Sequence, residues 1–124
     1  MKKHLLMATI PICVAAGFLC LPAFAQEEPA VVNVILKNGD LGFKELTVEG
    51  ATRFEIENAG TADHAFEIEG EIGGEEFEVA SPVLKPGEKA VLIVGLPAGT
   101  YEVYCPVADH KEMGMAGEIT FAEK

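Results

Sequence analysis

Cysteine is scarce in this chain: three occur in 124 residues, and two of them, Cys13 and Cys20, lie in an apolar N-terminal run. Tryptophan is absent, tyrosine occurs twice and histidine three times. Basic residues are also few, nine against 20 carboxylates. Each shortage excludes something. A formal net charge of −11 excludes binding to nucleic acid phosphates and suits either solubility or steering toward a basic partner. No stretch beyond the N-terminal run sustains a helical period, which excludes a helical bundle. No repeat or low-complexity segment occurs.

The first four residues, Met1-Lys-Lys-His, form a short positive region, followed by apolar sequence from Leu5 to Leu21 and the small-x-small site Ala23-Phe-Ala25. This reads as a bacterial secretory signal peptide over 1–25, cleaved on export to the periplasm or beyond. The apolar run approaches membrane-spanning length, but polar Gln26-Glu-Glu28 directly behind an Ala-x-Ala site favours cleavage over an anchor, leaving no stable membrane span. Leu19 and Ile12 precede the two leader cysteines where a lipoprotein needs a small residue, and no twin arginine is present. Removing 25 of 124 residues leaves 99, one domain over 26–124 by length. Lys2 and Lys3 leave too, so seven cations face 20 carboxylates, a net −13.

Beyond residue 26 the chain reads as short strands between turn signals. Val31–Lys37 ends at the turn Asn38-Gly-Asp40, and a weaker strand runs over Glu45–Val48. Thr52–Glu57 alternates with Phe54 and Ile56 inward, and Ala65–Glu69 with Phe66 and Ile68 inward. Gly73-Gly74 marks an acidic hairpin tip, after which Phe77 and Val79 continue the alternation. Ala90–Val94 reads as a central, buried strand. Tyr101, Val103 and Cys105 share a face of the next, and Glu118–Phe121 is the last. Seven or eight such strands predict an all-β, antiparallel Greek-key β-sandwich.

The mature chain keeps one cysteine, two histidines and two methionines: Cys105, His64, His110, Met113 and Met115. An unpaired thiol in an exported protein needs a buried or metal-bound role. Taken singly, each of these residues has a bland role as a buried hydrophobe, a loop residue or a gap-filler. All but His64 fall in one eleven-residue stretch, and two imidazoles, a thiolate and a weak thioether are the donors of a blue-copper electron-transfer site.

The spacing Cys105-x4-His110-x4-Met115-x-Gly117, after the aromatic-rich strand from Tyr101, resembles the C-terminal ligand loop of the cupredoxin family. Asn58-Ala-Gly60-Thr-Ala-Asp-His64-Ala-Phe66 is similar to that family's first-histidine segment. The resemblance, of the plastocyanin and azurin kind, covers both ends of the domain. It implies a monomeric type 1 copper protein holding one copper ion as Cu(I) or Cu(II) through His64, Cys105, His110 and Met115. Met115 is favoured over Met113 as axial ligand because it stands five residues after His110, a family spacing. The implied function is one-electron transport between redox proteins, such as a basic c-type cytochrome or another electron-transfer protein, and not enzymatic catalysis. His110 would be the electron port, within an apolar rim of Val107, Ala108, Met113 and Gly114. A copper carrier or buffer without an electron-transfer role is the alternative. Ala65 and Pro106 depart from the Asn and Ser/Thr common in relatives, leaving the N–H groups of Ala65 and Val107 as candidates to reach the thiolate.

Overall fold

The computed structural model describes residues 27–124, so the expected leader over 1–25 lies outside the described residues. Eight strands are present: β1 (Ala30–Leu36), β2 (Glu45–Glu49), β3 (Thr52–Asn58), β4 (Glu67–Ile72), β5 (Glu75–Ala80), β6 (Lys89–Val94), β7 (Gly99–Tyr104) and β8 (Ala116–Ala122). They form a three-stranded sheet, β1-β3-β6, and a five-stranded sheet, β2-β8-β7-β4-β5. This is the expected all-β sandwich, with one correction: its sheets are mixed. β1 runs parallel to β3 and β2 parallel to β8, while the remaining pairs are antiparallel. The cause is the crossing of β2 to the opposite sheet between β1 and β3, so that β3 returns in the direction of β1.

Alternation builds the core between the sheets. In β3, Phe54 and Ile56 are fully buried, while Glu55 faces solvent. Phe66 lies 5.4 Å from Phe54, ring centre to ring centre, across the sandwich, and Ile68, Val103, Ile119 and Phe121 complete the layer. Burying such side chains supplies roughly 1.5–3 kcal/mol each. β4 begins at Glu67 rather than Ala65, because His64 pairs instead with Leu84 through two backbone bonds of 3.0 and 2.7 Å. Gly73 and Gly74 both adopt positive φ, 61° and 85°, the requirement of a type I′ hairpin turn.

The expectation of a central, buried β6 is overturned. β6 pairs on one side only, with β3, and is the edge of its sheet. Val91 and Ile93 are 48% and 58% exposed. A continuous apolar run resembles a strand covered on both faces, yet here the alternation still turns every second side chain outward.

Candidate metal centre

Cys105 follows the last residue of β7, on the inward face set by Tyr101 and Val103, and is completely buried. His64 precedes β4, held by its pairing with Leu84, and is 1% exposed. His110 lies in the loop between β7 and β8, where its N–H donates to the Val107 carbonyl at 3.1 Å, and is half-buried. Forty-six residues separate the two histidines, yet their Nδ1 atoms are 3.2 Å apart. Cys105 Sγ lies 3.5 Å from His110 Nδ1 and 3.9 Å from His64 Nδ1.

These edges fix the size of the hole between the donors. A circle through the three atoms has a radius of about 2.1 Å. A metal–imidazole bond at a first-row ion is about 2.0–2.1 Å and a metal–thiolate bond about 2.3 Å. His64, Cys105 and His110 would therefore hold one ion with all three atoms at bonding length. The residues present fit a single copper ion in a trigonal His2Cys set.

Met115 is fully buried, its N–H donating to the His110 carbonyl and its carbonyl accepting from the Cys105 N–H, both at 3.0 Å. Met113 is 64% exposed. The sequence places both in the same loop, but only Met115 stands inside, fastened to two of the three donor residues. With Asn38, Gly39 and Ala62, Met113 and the two histidines line a cavity of about 180 Å³.

The Cys105 sulfur receives one backbone bond, from the Ala65 N–H at 3.5 Å. Among the described hydrogen bonds none joins Val107 N–H to the sulfur; the Val107 carbonyl closes the loop onto His110 instead. Burial, reinforced by the neighbouring His110, holds the His64 ring below the ordinary histidine range.

Three contributors escaped the sequence reading. Asn38, read only as a turn residue, places Oδ1 2.9 Å from His64 Nε2. Gly60 packs over that contact: a Cβ there would meet Asn38 Oδ1 at 2.5 Å and His64 Nε2 at 2.8 Å. Lys44 donates to the Gly114 carbonyl at 2.5 Å and to Ala116 O at 3.4 Å, on either side of Met115. Nothing in a local pattern signals contacts across such distances in sequence.

The outer face of the five-stranded sheet carries the charge. Glu45, Glu118, Glu102, Glu69 and Glu78 stand in one cross-strand row, one from each strand. Lys111, adjacent to His110, meets this row, 2.7 Å from Glu102 and 3.5 Å from Glu69. Its ammonium also sits 4.0 Å from the centre of the Tyr104 ring. Tyr104 OH donates to Glu67 and Glu69 at 2.6 and 2.9 Å, which drives its own pKa far up.

A family model for the cupredoxin-like domain matches residues 9–120. This chain belongs to the cupredoxin family. Solved structures share its fold at low identity. The cupredoxin superposes on reduced auracyanin from the photosynthetic bacterium Roseiflexus castenholzii with a TM-score of 0.66 at 20% identity, covering 77% of this chain and 99% of that one. An oxidized amicyanin mutant gives 0.56 at 19%, covering 73% and 80%. A multicopper oxidase gives 0.57 at 20%, covering 76% of this cupredoxin but 42% of the oxidase. No curated protein sequence matches the chain.

Proposed function

We propose that this cupredoxin is an exported type 1 copper protein that carries single electrons between redox partners, with His64, Cys105, His110 and Met115 as ligands. The observation that carries the reading is the three-donor triangle, whose size suits one ion. A copper ion held there supplies a Cu(I)/Cu(II) couple. The protein's part is to keep the donors still. Cys105 is fixed by its strand and by the Ala65 N–H, His64 by Leu84 and Asn38, and Met115 by backbone bonds to Cys105 and His110. A soft thiolate with two imidazoles tolerates both oxidation states, so little has to move when the charge changes. Burial of His64, Cys105 and Met115 excludes water from the thiolate. Half-buried His110 is the donor nearest the surface and is the inferred electron port. A pinned, buried set favours electron passage over release of the ion, the behaviour of a carrier or buffer.

Catalysis at a second metal is disfavoured by the neighbours of Cys105, which are Tyr104 and Pro106; neither is a histidine able to hold another copper. The inferred partner is a basic redox protein such as a c-type cytochrome. The five-glutamate row supports this, because like charges directly opposite cost stability and give a field that a cationic surface relieves. Export through a cleaved leader, monomeric state and a periplasmic location complete the reading.

Titrating Cu(II) into the protein and recording the visible spectrum tests it. An intense thiolate-to-copper band that Cys105→Ser abolishes is the expected result. A serine variant as strongly coloured as the parent overturns the site.

A further inference from the structure

We propose that Asn38 is a positioning residue that sets the tautomer of His64, leaving the lone pair on the nitrogen that faces the donor set. The proposal rests on the copper reading above.

The orientation of the Asn38 carboxamide is fixed by its own partners. Oδ1 lies 3.1 Å from Thr61 N and 3.3 Å from Ala62 N, both donors, while Nδ2 donates to Thr61 Oγ1 at 2.6 Å. A flipped amide would set its NH2 against two N–H groups. The atom 2.9 Å from His64 Nε2 is therefore a carbonyl oxygen, which only accepts. Nε2 must carry the hydrogen. In a neutral imidazole the lone pair then sits on Nδ1, the atom facing His110 Nδ1 and Cys105 Sγ.

The opposite tautomer fails twice. It would aim an N–H into the donor set, and it would press the Nε2 lone pair against a carbonyl oxygen. His64 is 1% exposed and Gly60 packs over the contact, so repairing the second fault would require water from the adjoining cavity to displace the Asn38 carbonyl. The same bond opposes a flip of the ring, which would put Cδ2 in place of Nδ1 toward the donor set and Cε1 in place of Nε2 against Asn38. A plain turn-closing role for Asn38 would leave the tautomer of His64 indifferent to its side chain, and this separates the two ideas.

The experiment uses the metal-free full chain at one neutral pH, with ring-nitrogen NMR as the first measurement and Zn(II) affinity by chelator competition as the second. In the parent, His64 should show a solvent-protected Nε2–H. Asn38→Leu should lose that protected proton and bind Zn(II) about 10–100-fold more weakly. Asn38→Asp keeps an acceptor and should retain both properties, and Thr61→Val should stay near the parent.

A parent carrying its proton on Nδ1 overturns the proposal, as does a folded Asn38→Leu with unchanged tautomer and affinity. If Asn38→Leu fails to fold, Asn38→Asp decides, and loss of the Nε2–H there is equally fatal. Failure of the copper reading looks different: the parent would show no thiolate-to-copper band while the tautomer comparison still stood.

Discussion

Lys44 Nζ donates to the carbonyl of Gly114 at 2.5 Å, across 70 residues of chain. The contact grips the segment that carries Met115, from the approach to β2. Lys44→Met should leave the sandwich folded, losing about 0.5–1.5 kcal/mol for a hydrogen bond at an exposed site. Removing a cation beside the centre also favours Cu(II), so the reduction potential should fall. Urea unfolding and voltammetry measure the two effects. An unchanged potential would limit Lys44 to a purely structural role.

The two methionines make a sharper pair. Met115→Leu removes a weak donor that favours Cu(II), so copper should remain bound while the potential rises. Met113→Leu alters an exposed side chain and should leave potential and spectrum nearly unchanged. A large shift in the Met113 variant alone would reverse the assignment.

The glutamate row sets stability against association. Glu118 stands between Glu45 and Glu102. Glu118→Gln should stabilise the protein by roughly 0.2–1 kcal/mol at low salt. The same change should slow electron exchange with a basic cytochrome, and for the parent that rate should fall as salt approaches 0.15 M, where fields reach only about 8 Å. Stopped-flow rates that stay flat across the salt titration would leave the charge a solubility role only.

Acid should destabilise the metal-free protein through His64, whose folded pKa lies below the ordinary 6.5 because of burial and then His110, with Asp63 opposing. Between the folded value and 6.5 the unfolded chain binds the extra proton, so stability rises with pH across that window. It is fully present above the window and lost on acidification. Urea midpoints at several pH values should show this slope, and His64→Gln should flatten it.

The candidate site was legible because Cys105, His110 and Met115 sit close in sequence, where spacing carries the information. Strands were legible wherever alternation is clean, as in β3 with Phe54 and Ile56 inward. The edge position of β6 was not, since an apolar run does not say how many neighbours a strand has. Nor were the parallel pairs, which depend on where β2 crosses. Asn38, Gly60 and Lys44 stayed hidden for another reason: each acts through one long-range contact and leaves no period behind.

The parallel pairing of β2 with β8 makes the centre a late product of chain closure. Glu45 meets Glu118 across most of the described sequence, and β8 starts directly after Met115. Contacts of such separation form slowly, because the entropy of closing a long loop precedes any gain from the pairing. A chain in which β8 has not yet paired holds His64 without its companions in place. The fold itself sets the order: strand closure first, a complete donor set second.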